Sequence, residues 1–333
     1  MKAHRDMGLI GLAVLLLVAA VFASLAVGIR IIDPFAGLRA MTLGEVTTLD
    51  EILFQASRLP RTVIALCVGG GLGLAGALLQ TVTKNVLADP GLLGINAGAA
   101  FAVVVTLAVL DAPPPLATLG LVATGGAILT ALLGFVLAGG SRTFEAQPLR
   151  MILSGGVLAI ALGSLTQIVL ILQPGAFEAS QVWLAGSFAD RAPAAVGAYA
   201  LVFALMCAVG IALAPSLSVL LIGDAQGRSL GVNVARLRIA AVAIAAILCG
   251  VGVSLAGPIA FVGLIAPHVA RAISRNRLPQ TFGFSVLFGA VLVLLSDVLA
   301  RLIVAPSELP VGILIAVAGF PFYLLLLRRD VRL

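Results

Sequence analysis

The chain has 333 residues, of which 61% are apolar and only 10% charged, against roughly 45–50% and 25% in soluble domains. This composition excludes a water-soluble globule, and at about 20 apolar residues per bilayer-crossing helix it leaves room for about ten crossings. Twenty Lys and Arg against 14 Asp and Glu give a net charge of +6, but the bases fall in short gaps between apolar runs and are not interleaved with the 5% of aromatics, which excludes a nucleic-acid stacking surface and makes the charges a record of topology.

Ten apolar runs are predicted as membrane helices, at 7–29, 60–82, 91–110, 116–138, 149–172, 194–214, 237–256, 258–274, 284–304 and 311–327. The first follows a basic flank of Lys2 and Arg5 and is too long for a signal-peptide core, so it reads as a retained span. The second carries Ala65, Gly69, Gly73 and Ala77 at every fourth position, a small-residue stripe that lets a neighbouring helix approach closely. The weakest boundary separates the seventh and eighth runs, where Gly257-Pro258 is equally a kink in one long helix. With both termini in the cytoplasm, the inner segments hold 14 of the 20 Lys and Arg, and the positive-inside rule therefore supports ten spans. Short loops throughout indicate a single all-α polytopic membrane domain over 1–333.

Several chemistries are excluded by pattern. Cys67, Cys207 and Cys249 all lie in apolar runs, where a free thiol behaves as a small hydrophobe. Gly71-Leu72-Gly73-Leu74-Ala75-Gly76 has the G-x-G-x-x-G spacing, but no strand precedes it and the segment is a membrane helix, so the dinucleotide reading is rejected. The only lysines, Lys2 and Lys84, do not follow glycines, so there is no P-loop. His4 and His268 are far apart and have no cysteine nearby, which gives a metalloenzyme no support.

Charged residues near the spans allow two readings. Arg58-Leu59-Pro60-Arg61 lies at the outer mouth of the second span and Arg301 near the outer end of the ninth. These arginines either snorkel to the interface, with Arg301 pairing to Asp297 one turn earlier, or form a socket for an acidic partner. Asp297 is the one acid placed well inside a span; Arg301 at i+4 favours a structural pair over a proton relay. The longest polar segment, Pro215 to Arg238, suits either short helices along the cytoplasmic face that dock a protein or a solvated loop.

Together these residues resemble the FecCD-type permeases, the transmembrane subunits of type II ABC importers for ferric siderophores, haem and cobalamin. The resemblance is carried, in family order, by Arg58-Leu59-Pro60-Arg61, Gly76-Ala77-Leu78-Leu79-Gln80, Asn85 to Gly94, Trp183-Leu184-Ala185-Gly186-Ser187, Gly223 to Val232, Phe261 to His268, Asp297 with Arg301, and Glu308-Leu309-Pro310-Val311-Gly312. Val86 replaces the family's usual proline, and Gln147-Pro148-Leu149 replaces a Ser- or Thr-rich turn. The resemblance implies that Arg58, Arg61 and Arg301 receive glutamates of a periplasmic or lipid-anchored substrate-binding protein. It implies that Gly223, Asp224, Ala225, Gln226, Gly227, Arg228, Ser229, Leu230, Gly231 and Val232, within a coupling segment at 215–236, seat on a cytoplasmic ABC ATPase dimer that binds ATP-Mg. Asn85 and Leu87 match its lower gate; Met151, Ser154, Gly155 and Thr166 are candidates for the path at an interface with a second permease copy or paralogue. His268 and Arg271 match scaffold positions. No cofactor bound by this chain is implied. Gly91 to Ala100 looks most like the ferric-siderophore branch, with haem or cobalamin transport as the alternative. The competing classes are a gradient-driven carrier, for which only Asp297 offers the start of a relay, and, remotely, a lipid enzyme built on His268.

Overall fold

The computed structural model describes all residues except 1, 29, 44–47, 92, 111–113, 140–146, 189–192, 276, 306 and 331–333, and among the described residues every regular element is helical. Arg142, Arg191 and Arg332 of the charge argument, and Leu92 of the glycine-flanked turn, lie outside the described residues. The elements are α1 (Lys2–Ala26), α2 (Pro34–Leu43), α3 (Leu49–Leu53), α4 (Leu59–Thr83), α5 (Ile95–Val109), α6 (Leu116–Leu137), α7 (Gln147–Leu172), α8 (Pro174–Leu184), α9 (Pro193–Ala212), α10 (Ala214–Ile222), α11 (Asp224–Ser229), α12 (Val234–Ala256), α13 (Val262–Ser274), α14 (Leu278–Ile303) and α15 (Val311–Asp330).

Each of the ten apolar runs contains a helix, but their lengths differ. Six are long and apolar enough to cross a membrane, and a seventh qualifies if α9 and α10, bent by 45°, form one span. Ile95–Val109, Val262–Ser274 and Val311–Leu326 are apolar but shorter. The protein is therefore a multi-pass helical membrane protein with six or seven full-length candidate spans. Gly257 resolves the doubtful boundary: its φ of +74° ends α12, and the chain runs without helix until Val262 starts α13. α12 and α13 are two helices, not one with a kink.

The core is organised around α4, of whose 25 residues 22 are buried. Its glycines set how closely neighbours approach. A Cβ on Gly69 would collide with the Gly289 carbonyl of α14, one on Gly73 with the Ser285 carbonyl, and one on Gly76 with Gly263 of α13. The stripe expected from the four-residue spacing is thus the contact surface for α14, and Gly76 extends the close packing to α13. At the periphery the pattern reverses: α7 exposes Leu153, Val157, Ile160, Ile168 and Ile171, an apolar face without an internal partner.

At its N-terminus α4 is continuous with a π-helical turn, Phe54–Arg58, which follows α3. α3 starts with a capping box, in which the Thr48 hydroxyl accepts from the Glu51 amide and the Glu51 carboxylate from the Thr48 amide. π turns are rare and recur at functional positions; this one ends in Arg58, the first arginine of the Arg58-Leu59-Pro60-Arg61 motif.

Candidate functional site

Two polar constellations lie at opposite ends of the antiparallel pair α4 and α14. The first joins the start of α4 to the end of α14. Arg61 donates from Nε to Asp297 Oδ1 at 2.9 Å and from Nη1 to Glu308 Oε2 at 2.7 Å, with Nη2 2.8 Å from Asp297 Oδ1. Arg301 pairs with the other oxygen of Asp297 across one helical turn. It also donates from Nη1 to the carbonyls of Ser24 at 3.1 Å and Val27 at 2.9 Å, and from Nη2 to the Ser24 hydroxyl at 3.1 Å. Ser24 Oγ in turn lies 2.8 Å from Thr62 Oγ1. Asp297 and Arg301 are both at 0% exposure, a burial that two opposite charges sustain only when paired and fully hydrogen-bonded.

Arg58 differs from these two arginines. It is only half-buried and donates to the carbonyls of Val27 at 3.4 Å and Arg30 at 3.2 Å, with no carboxylate in ion-pair range among the described residues. Of the three arginines expected to dock a partner, only Arg58 therefore has its charge uncompensated. Arg61 and Arg301 are turned inward and hold α1, α4, α14 and the segment carrying Glu308 together.

The second constellation lies at the other end. Asp224, the first residue of α11, accepts from Lys84 Nζ at 3.1 Å and from Arg238 Nη2 at 2.8 Å, so the residue that ends α4 and the second turn of α12 both clamp it. Gly223 reaches φ +140° and Gly231 φ +79° to turn the chain into and out of this short helix. Gly227 is buried against Val219 and Val234, whereas Ala225, Gln226, Arg228, Ser229 and Leu230 are exposed. The polar stretch is narrower than 215–236, because Pro215 to Ile222 belongs to α10 and Val234 already starts α12. Leu221, Ile222 and Leu230 expose 50%, 67% and 66% of their surface beside it, an apolar patch next to a rigidly anchored turn.

The other candidates separate by packing. Asn85 closes an Asx turn by accepting from the Leu87 amide at 2.8 Å, after Lys84 has ended α4 in the left-handed region at φ 50°. Met151 is buried, Ser154 Oγ donates to Gly134 O at 2.9 Å, a Cβ on Gly155 would come within 2.6 Å of Leu93 Cα, and Thr166 donates to Leu162 O at 2.7 Å. These four occupy the packed face of α7 rather than its open face. In the same loop as Asn85, the buried Asp89 accepts from the Gly91 amide at 2.9 Å, yet burial pushes its carboxyl up to about 6. It borders a cavity of about 340 Å³ walled by Phe261, Phe320 and Tyr323.

Four residues take roles that the sequence does not assign, although Gln80 and Glu308 stand within the motifs that carry the resemblance. Glu308 and Ser24 complete the first constellation from 247 and 277 positions away. Gln80 and Asn96 reach into the break around Gly257: Asn96 Nδ2 donates to Ile259 O at 3.1 Å and Gln80 Nε2 to Gly263 O at 3.0 Å. Non-helical backbone at membrane depth needs such partners, and an amide side chain within an otherwise apolar run was the available signal. Three motifs also converge here. A Cβ on Gly257 would strike the Trp183 carbonyl, Gly186 lies against Gly312, and the Gly312 amide donates to Gly186 O at 3.0 Å.

The chain is similar to known proteins along nearly its whole length. Residues 16–329 match the model of the FecCD transport family. The Fe(3+) dicitrate transport system permease protein FecC of Escherichia coli (strain K12) is 39% identical over 295 residues, 87% of each chain. The ferric enterobactin transport system permease protein FepD of the same organism is 35% identical, covering 98% of this chain and 97% of its own. The iron(3+)-hydroxamate import system permease protein FhuG of Bacillus subtilis (strain 168) is 37% identical over 99% of both. A solved inward-facing metal-chelate type ABC transporter superposes with a TM-score of 0.82 at 26% identity, over 95% of this chain and 97% of that one.

Proposed function

The chain belongs to the FecCD transport family, and from that membership we propose that it is the permease subunit of a binding-protein-dependent ABC importer that carries a ferric siderophore or ferric citrate into the cytoplasm. The observation that carries this reading is the match over 16–329 together with relatives named for ferric citrate, enterobactin and hydroxamate transport. The chain is not itself an enzyme: it has no P-loop lysine, and ATP-Mg is bound and hydrolysed by a separate ATPase dimer.

In this reading ten helices cross a bacterial inner membrane, α5 and α13 being completed by the non-helical segments beside them, and both termini are cytoplasmic. A substrate-binding protein docks over the start of α4. Arg58 supplies the direct salt bridge, while Arg61 and Arg301 hold the surface in shape through Asp297 and Glu308. The ATPase seats on Gly223 to Val232, where Leu221, Ile222 and Leu230 provide the apolar contact and the Lys84–Asp224–Arg238 clamp transmits its movement. Closure of the ATPase pair rocks the helices as rigid bodies and switches access of a path formed with a second permease chain. The Asn85–Leu87 turn is the inner gate. Met151, Ser154, Gly155 and Thr166 set the path's shape from behind, and the exposed face of α7 forms its wall. That wall is largely apolar, interrupted by the exposed Ser164 and Gln167, which suits a chelate passing whole and weakly held.

The test is ATP-dependent uptake of radioactive ferric siderophore into liposomes containing the permease and its ATPase, with and without binding protein. Uptake is expected to require all three components. Arg58→Glu is expected to weaken binding-protein affinity by about 10- to 100-fold, the loss of a charge-assisted hydrogen bond worth roughly 1.5–3 kcal/mol. Uptake that proceeds without ATPase overturns the proposal, and uptake of cobalamin or haem with no ferric siderophore overturns the substrate assignment.

A further inference from the structure

A second cavity of about 340 Å³ opens between the end of α4, the end of α13, the start of α14 and α10. Its lining includes Gln80, Lys84, Val86, Leu221, Arg271 and Thr281. Among the described residues no acidic side chain lines it, and its cations are left without a matching charge. Arg271 has a buried Nη2 with no hydrogen-bond partner, and no carboxylate lies within ion-pair range of it among the described residues. Leaving a guanidinium buried without a counter-ion is costly, and the paired Arg61 and Arg301 show how the same fold treats buried arginines elsewhere. Lys84 spends one of its three donors on Asp224 at 3.1 Å and keeps two. Gln80, whose amide nitrogen is committed to Gly263, has a buried Oε1 with no partner.

We infer that this cavity binds the headgroup of an anionic phospholipid, with the phosphodiester held by Arg271 and Lys84 and a headgroup hydroxyl donating to Gln80 Oε1. The unsatisfied groups select the ligand. Two cationic donors call for an anion, and the orphan acceptor calls for a donor on the same molecule, a pairing that phosphoglycerol provides and a bare carboxylate does not. Val86, exposed by 39% at the rim, receives the apolar part of the lipid. Basic pockets between membrane helices are suited to such headgroups, and the volume falls within the roughly 300–1,000 Å³ of small-molecule sites. Because Lys84 touches both the cavity and Asp224, a bound lipid bridges α4 and α13 to the segment proposed to seat the ATPase. The assignment to the inner leaflet rests on that functional reading; the binding itself does not.

The test uses the delipidated permease–ATPase complex in detergent, with its thermal unfolding midpoint followed during titration with dioctanoyl-phosphatidylglycerol, dioctanoyl-phosphatidylcholine or inorganic phosphate. Phosphatidylglycerol is expected to raise the midpoint saturably, phosphatidylcholine and phosphate to have little effect, and Arg271→Gln to weaken the phosphatidylglycerol response at least tenfold while Arg271→Lys retains part of it. If Arg271→Gln does not fold, Lys84→Gln is expected to weaken the same response. Equal responses to both lipids overturn the inference, as does a phosphate response matching that of phosphatidylglycerol, which marks a free-anion site. A complex that dissociates on Arg271→Gln or Lys84→Gln without any lipid response places an acidic ATPase side chain in the cavity and overturns it too. None of these readouts depends on the transported substrate, so they fail or succeed separately from the uptake assay.

Discussion

Replacing Asp297 by asparagine separates a structural carboxylate from a proton carrier. Asp297 accepts from Arg61 through one oxygen, at 2.9 and 2.8 Å, and from Arg301 through the other. The amide keeps the shape but loses the charge, and its nitrogen must then face a guanidinium. Glu308 reaches only Arg61, so Arg301, at 0% exposure, is left with neutral acceptors from Ser24 and Val27. Breaking one partner of a buried pair costs about 3–5 kcal/mol, a large part of the roughly 5–15 kcal/mol that holds a typical fold. The measurement is equilibrium unfolding in detergent micelles for Asp297→Asn, Arg301→Met and the double variant Asp297→Leu with Arg301→Met. Each single change is expected to lose several kcal/mol, and the double change less than their sum, because a pair removed together leaves no stranded charge. If Asp297→Asn unfolds like the unmodified protein yet abolishes uptake, the counter-ion account is refuted and the acid is a proton carrier.

Gly76→Ala places a methyl group against the Gly263 backbone and is expected to cost about 1–3 kcal/mol or more, whereas Gly125→Ala, with nothing within 4 Å, is expected to be neutral or slightly stabilising; equal effects in the same unfolding assay refute the close-packing account. Asp89 gives a pH dependence. Because burial raises its folded-state value to about 6 from about 4 in the unfolded chain, the folded state binds the extra proton between those values, and stability falls as pH rises through that window by up to about 3 kcal/mol. Asp89→Asn keeps an acceptor for the Gly91 amide and removes the buried charge, so at pH 8 it is expected to unfold later than the unmodified protein and to lose the dependence between pH 4 and 6; a lower midpoint at pH 8 refutes this.

What was legible in the sequence was local. The four-residue spacing from Ala65 to Ala77 fixes one face of a helix whatever lies opposite, and Asp297 and Arg301 are one turn apart in any helix. The partners Glu308 and Ser24 carry no such signature, because only the tertiary fold brings them to Arg61 and Arg301. The face of α7 was illegible for a different reason. Ile152, Leu153, Val157 and Leu158 surround the helix with comparable apolar surface, so composition does not say which side is packed; the close approach of Gly155 to Leu93 decides it. The length of the spans also escaped the hydropathy count, which cannot distinguish a full-length helix from the 13 residues of α13 preceded by extended chain.

The positions of the two constellations carry a mechanical consequence. Arg61 and Gln80 lie 19 residues apart on α4, about 28 Å at 1.5 Å per residue, and between them Gly69, Gly73 and Gly76 bring α14 and α13 into backbone contact. Contacts of that kind leave no side-chain layer to repack, so they resist the small rotamer adjustments by which packed helices slide. A displacement imposed at Lys84 and Asp224 is therefore carried along α4 as movement of a block rather than absorbed midway. The adaptable parts are those that lack such contacts: the 45° bend between α9 and α10 and the turn at Asn85. A bulky residue at Gly73 that still folds is accordingly expected to uncouple the ends, leaving ATPase binding and binding-protein docking intact while uptake per ATP falls.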